Sequence, residues 1–336
     1  MSSRAGATTA TRPSLRATAA RLARPRASQI GITVAFLLLW LAFIVLAPRT
    51  FLDTPIYGSF AQTTPYFAIT AMPLTMLIIA GDIDLSFPAV MSLGMVGFVG
   101  VWQATGSVEL GIAAALVVGA LAGMFNGLVV TYIGIPALVA TIATQFLFRG
   151  LALVLVSGRS FALVTTIQSP SYGVMVGKLF GIPMEFAWLA LVTVAAWLLL
   201  NRHQLGQHGY VIGANRQAAG LMGVPMRRTR IALFVLVGLA AAFAGVLNSL
   251  QVVNFYPALG DGYLLPALAA VFVGGTSVFG GRGSVYGTFI GAFMIGGITA
   301  GIVAAGYTEF YTNLFYGAII LISVSIHAML RRRFEY

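Results

Sequence analysis

The chain has 336 residues, of which 59% are hydrophobic and 8% charged, and it carries a net charge of +11. Soluble domains hold about 25% charged residues, so this composition excludes a water-compatible surface and predicts a polytopic integral membrane protein. It has no cysteine, which excludes disulfides and thiolate sites, and its three scattered histidines lack metal-ligand spacing, so no metal site is expected. The arginines sit in short segments between apolar runs, where membrane orientation accounts for them and no nucleic-acid partner is expected.

Residues 1–28 hold six arginines and no acid, and are expected to form a basic, disordered cytoplasmic tail. The apolar stretch 30–47 follows directly. It is long enough to cross a bilayer and lacks a small-residue cleavage site, which favours a retained first helix over a signal or transit peptide. Further apolar segments lie at 64–80, 87–103, 108–132, 135–156, 183–200, 231–250, 264–279, 284–304 and 308–330. About ten transmembrane helices are therefore predicted, making residues 29–336 one all-α membrane domain. With both termini in the cytoplasm and each segment crossing once, the cytoplasmic pieces carry 15 of the 19 Lys and Arg, as the positive-inside rule requires. Glycine-rich spans at 108–132 and 284–304 occupy corresponding places in two five-span halves, which suggests an inverted five-helix repeat.

Glycines recur every four residues at Gly119, Gly123 and Gly127, at Gly287 and Gly291, and at Gly297 and Gly301. Such faces allow close helix packing, within the bundle or across a dimer interface. A charge at the centre of a span costs about 2.5–3.5 kcal/mol on insertion scales. Arg149 lies in such a position, and Thr141 and Gln145 share its helix face. This stripe either lines a path or pairs with a buried acid. Asn126, Asn248 and Asn254 pose the same alternative. Asp82 and Asp84 lie in AGDIDLSFPAV, where Ser86 is placed to cap the next helix and Pro88 to enter its first turn. No nucleophile and base accompany the two acids, and no catalytic constellation is found.

The polar interval 201–230 lies between two spans and cannot cross a bilayer. Residues 214–222 are compact enough for two turns of helix, with small Ala218, Ala219 and Gly220, and Gly223 and Pro225 end it. It reads either as a surface helix that docks a soluble partner or as an ordinary cytoplasmic loop. A phosphate loop requires Gly-Lys-Ser or Gly-Lys-Thr after a glycine-rich turn. The only lysine, Lys178, stands in GKLF, so ATP hydrolysis would belong to another chain.

Several motifs in register carry a resemblance: IDLS at 83–86, GMFNGLVVTYIGIPALVATIAT at 123–144, Arg149-Gly150, GANRQAAGLMGV at 213–224 and GGTSVFGGRGSVYGTFIGA at 274–292. From about residue 30 onward the chain is similar to the permease subunits of bacterial ATP-binding-cassette (ABC) importers for ribose, xylose and related sugars. That resemblance implies about ten helices and a second permease chain, a homodimer partner or a paralogue. It also implies a separate ABC ATPase subunit that uses ATP and Mg, no cofactor in this chain, and a periplasmic sugar-binding protein that delivers a monosaccharide or polyol. Surrounding membrane lipid is the remaining partner. It places ATPase coupling at Gly213, Asn215, Arg216, Gln217, Ala218, Ala219 and Gly223, with Ala218 and Ala219 allowing close docking. Candidate path residues are Asp82, Asp84, Ser86, Asn126, Thr141, Gln145, Arg149 and Asn248.

The chain also departs from the pattern. Gly81-Asp82 stands where Gly-Gly is usual, Phe87-Pro88 replaces Val-Gly, and Leu264-Leu265-Pro266 replaces Glu-Leu-Asp after GDGY. A permease for branched-chain amino acids is the alternative within the same general plan. An ion-coupled carrier is the other. With Asp261 and Glu309 expected near outer ends, such a carrier would have to use Asp82 and Asp84 for its coupling ion.

Overall fold

The computed structural model describes residues 15–304 and 310–334. In chain order its helices are α1 (Leu15–Leu46), α2 (Pro48–Phe51), α3 (Pro55–Thr63), α4 (Pro65–Ile79), α5 (Phe87–Thr105), α6 (Val108–Leu128), α7 (Ala137–Leu155), α8 (Pro170–Val176), α9 (Met184–Arg202), α10 (Gln204–Ala214), α11 (Arg216–Leu221), α12 (Met226–Gln251), α13 (Leu264–Val273), α14 (Val285–Ala304) and α15 (Phe310–Phe334). The expected disordered tail is corrected from Leu15 onward, where the backbone is helical and continuous with the first span. Residues 1–14 and Glu309 lie outside the described residues.

Ten apolar helices stand where ten spans were expected. Among the described residues, seven are long and apolar enough to cross a membrane, while Pro65–Ile79, Leu264–Val273 and the stretch Tyr311–Ile326 are shorter. At 1.5 Å per residue, α4 and α13 reach roughly 22 and 15 Å, short of a hydrocarbon core of about 30 Å. The segment 264–279 is thus a half-helix followed by a loop, where an unbroken span had been expected. Both short helices end at a glycine in the left-handed region, Gly81 (φ 84°) after α4 and Gly275 (φ 83°) after α13.

All 15 residues of α4 are buried. A helix that is apolar on every side belongs at the centre of the bundle. It packs against α9, α12, α13 and α14. The largest seam joins α6 to α12. There Gly119 and Gly123 face the carbonyls of Gly238 and Phe234, and a Cβ on Gly127 would lie 2.8 Å from Ile231 Cα. Gly287 and Gly291 lie against Gly274 and Ala270 of the α13 region, and Gly297 and Gly301 receive the rings of Trp40 and Phe43 from α1. The glycine faces therefore serve seams within one chain.

The pairing of helices repeats. α5 packs on α6 and α7 as α13 packs on α14 and α15; α12 lies against α5 and α6 as α4 lies against α13 and α14. The α4–α12 pair maps onto itself under that correspondence, so four helices of each half repeat their packing, whereas the fifth pair departs from it: α9 packs on α4, and α1 on α14. At the end remote from α10 and α11, two short antiparallel ladders tie the connections together. Phe161–Ala162 (β1) pairs with Asn254–Phe255 (β4), and Lys178–Leu179 (β2) with Ile182–Pro183 (β3).

A side chain at Gly123 would force α6 and α12 apart, whereas Gly150 has nothing within 4 Å of an added Cβ. Overpacking of this kind costs about 1–3 kcal/mol or more. Gly123→Leu is expected to lower the thermal midpoint of the purified protein in detergent by several degrees, and Gly150→Leu to leave it in place; equal midpoints would refute the seam.

Candidate functional site at the helix breaks

Three interruptions of the helical bundle meet at one point. They are the α4–α5 break at 80–86, the turn from α10 to α11 at 213–216, and the α13–α14 loop at 274–284. The amide of Gly281 donates to the carbonyl of Ile79 at 2.8 Å. Gly213 lies so close to both that an added Cβ would sit 2.6 Å from Gly281 N and overlap the Ile79 carbonyl. Gly81 and Gly280 complete the contact: an added Cβ on Gly280 would be 3.2 Å from Gly81 Cα. Tyr210 of α10 adds a hydrogen bond to the carbonyl of Gly283 at 2.8 Å.

The charge at this junction is Asp82, 3% exposed. Arg216 donates from Nη2 to Asp82 Oδ1 at 2.8 Å and to the Gly81 carbonyl at 3.1 Å. Arg230 grips the same carboxylate from Nε (2.5 Å to Oδ2) and Nη2 (2.8 Å to Oδ1). Arg216 opens α11 and Arg230 lies in the first turns of α12, so the two arginines hold both flanks of the surface helix to one buried acid. Asp82, expected along a path, is thus engaged in ion pairs with the polar interval 201–230.

The surface helix is shorter than expected, six residues from Arg216 to Leu221, and the preceding helix α10 was not anticipated. Asn215 caps it, its side chain accepting from Ala218 N at 3.0 Å, and Gly223 ends it at φ 73°. Ala219, expected to face a docking partner, is wholly buried, because the helix lies with that side on its own chain, and Ala218 is half-buried. The outward surface is formed by Gln217, Gly220, Leu221 and Met222, the last two 91% and 70% exposed.

Deeper in the break, Asp84 is fully buried. Its Oδ1 accepts from the amide and hydroxyl of Ser86, both at 2.7 Å, and Asn126 donates to Ser86 Oγ at 2.7 Å and to Asp84 Oδ2 at 3.4 Å. The Ser86 side chain does not cap α5 as expected. Gln145 of α7 caps it instead, accepting from Ala89 N at 3.2 Å, and Thr141 donates to the Ala137 carbonyl at 2.8 Å and the Ile83 carbonyl at 3.3 Å. Arg149 completes the stripe by pairing with Asp261 and donating to the carbonyls of Pro257 and Leu259. Ser92 donates to Pro257 as well, at 2.8 Å. The stripe on α7 thus braces α5 and draws the connection before α13 in against it. Each of these side chains has a partner within the chain, although Asn126 Oδ1 is left without a donor.

Asn248 stands elsewhere, donating to Tyr263 Oη at 2.8 Å. Near it is Glu185, an embedded acid passed over in the sequence although it opens the apolar run of α9. It is wholly buried, and Tyr66 Oη donates to its Oε1 at 3.5 Å.

The family model described as "Branched-chain amino acid transport system / permease component" matches residues 56–324. The chain is 30% identical over 294 residues to the ribose import permease protein RbsC of Escherichia coli K12, covering 87% of this chain and 91% of that protein. It is 33% identical to RbsC of Bacillus subtilis (76% of this chain, 79% of that one) and 32% identical to the autoinducer 2 import system permease protein LsrD of Yersinia pseudotuberculosis (77% and 80%). No solved structure matches the chain. A family match over most of its length, together with importer permeases alike nearly end to end, means that this chain belongs to that family of ABC-importer permease components.

Proposed function

We propose that the chain is the membrane-spanning subunit of an inner-membrane importer that passes a monosaccharide or related polyol, received from a periplasmic binding protein. A separate ABC ATPase, using ATP and Mg, drives it, and a second permease chain completes the pore. The observation that carries the proposal is the junction just described. A surface helix with two exposed apolar side chains at its tip is tied by both flanks to a buried acid at the break between two core helices. Such a helix can take force from a soluble partner and deliver it to α5, α12 and the α13–α14 loop together. The names of the similar permeases support a sugar or sugar-like cargo over an amino acid. The distribution of arginine supports cytoplasmic termini and places α10 and α11 on the same side.

Leu221→Asp with Met222→Asp is expected to abolish co-purification of the ATPase without changing the thermal midpoint of the permease. Retained binding would move the docking surface elsewhere. Because the chain has no native cysteine, Gln217→Cys gives a single reporter. A membrane-impermeant thiol reagent should modify it only in inside-out vesicles, and labelling of intact cells stripped of their outer membrane would reverse the assigned orientation.

Removing one partner of a buried ion pair leaves an unpaired charge, at a cost of about 3–5 kcal/mol. Asp82→Ala is therefore expected to cut cargo imported per ATP by about tenfold or more. Arg230→Ala should weaken it similarly, and Asp82→Glu should restore part of it. Full coupling in Asp82→Ala would show that force does not pass through this acid.

A further inference from the structure

A second polar cluster lies apart from the junction, where α4, α9, α12 and α13 approach one another. Tyr66 Oη donates to Glu185 Oε1 at 3.5 Å, the rings of Tyr66 and Tyr263 lie 6.3 Å apart, and Tyr263 Oη accepts from Asn248 Nδ2 at 2.8 Å. These contacts string a carboxylate, two phenols and an amide into one continuous strip. Glu185 is 0% and Asn248 5% exposed, yet Glu185 Oε2 and Asn248 Oδ1 have no hydrogen-bond partner. Among the described residues no ion pair joins Glu185 to a cation. Burying acceptors without donors is costly, and a buried carboxylate most of all. The other embedded acids, Asp82 and Asp84, are satisfied by two arginines and by Ser86 with Asn126. Glu185 differs from both in that a carboxylate oxygen is left without a donor, whereas beside Asp84 the unpartnered atom is the amide oxygen of Asn126.

Its position adds to the argument. It spans α4 and α12, the pair at the centre of the repeated helix packing, and it reaches the start of α13, the half-helix whose N-terminus carries no side-chain cap. Repeat interfaces at the ends of discontinuous helices are where transporters place cargo sites.

We infer that Tyr66, Glu185, Asn248 and Tyr263 form a cargo-contact site of the permease that selects a small, ring-shaped polyhydroxyl solute. The inference rests on the importer reading above. Two orphan acceptors need hydroxyl donors, which a monosaccharide or cyclic polyol supplies at several points of a compact ring. The two tyrosine hydroxyls exchange donor and acceptor roles, and their rings offer flat apolar faces to the carbon-bound hydrogens of a sugar. In the structure the cluster is closed, so cargo meets it when α4 and α12 part. Glu185 and Tyr263 then discriminate sugars that differ in the direction of one hydroxyl.

The test uses the complete importer, with its ATPase and binding protein, in proteoliposomes, with radiolabelled ribose and xylose as probes at saturating loaded binding protein. Tyr263→Phe and Glu185→Gln are expected to shift the ribose-to-xylose uptake ratio by about tenfold relative to the parent. A purely structural role would move thermal stability or both uptake rates together and leave the ratio fixed. Unaltered ratios in both variants, with normal parent uptake, overturn the cargo site alone. A parent complex that imports no monosaccharide or polyol held by its binding protein overturns the importer reading and this inference with it. Should Glu185→Gln fail to assemble, Tyr263→Phe, which removes a single oxygen, decides the matter.

Discussion

The structure depends on a carboxylate that cannot stand alone. Asp82 is removed from water, and an isolated charge there would be prohibitively unfavourable. Arg216 and Arg230 make it tolerable, and in doing so they pin the two flanks of α11 to the end of α4. Arginine suits this task because one planar guanidinium reaches both carboxylate oxygens, as Arg230 does, while another bonds the carboxylate and a backbone carbonyl at once, as Arg216 does. The backbone around the pair leaves no slack. Gly213 is packed against Ile79 and Gly281 with no room for a Cβ, so the three chain breaks form one body at that point.

From that fixed point the architecture extends across the bundle through interrupted helices. α5 begins inside the protein, and its exposed amides would be orphaned without neighbours. Gln145 accepts the amide of Ala89 and Asp84 that of Ser86 just before the helix, with Asn126 reaching over from α6 to the Ser86 hydroxyl. Arg149 then holds the connection before α13 close to the same helix. The polar groups that looked expensive in an apolar span are therefore the fasteners of the broken helices. Glu185 is the contrast among the buried acids, since one of its carboxylate oxygens has nothing to accept from.

Much of this was legible in advance, and the limits have physical causes. The apolar segments were readable because lipid demands long hydrophobic runs, and the glycines at every fourth position announced close packing, though not that α6 would pack on α12 of the same chain. The half-helix α13 was hidden, because the residues after it are apolar enough to pass for a continued span. Gly223 was recognisable as the end of a short helix, since a glycine stop is local, while the cap at Asn215 was not read. The burial of Ala219 was not, because which side of a six-residue helix meets the protein depends on what lies beneath it. Ser86 was misjudged as a cap for a similar reason: a local rule was overridden by Gln145, which reaches the amide of Ala89 across 56 residues of sequence.

What the sequence determined by itself was the solvent, the number of apolar helices, the gathering of arginine in a few connecting segments, and the lack of any phosphate-binding loop in this chain. Those properties are set by composition and by spacing along a single strand of text. The partners of the buried charges were decided only by the tertiary structure. Asp82 meets Arg216 across 134 residues and Arg230 across 148. A helix axis fixes the direction of its own side chains, but only the packing of one helix against another decides which of them lose water and what must replace it.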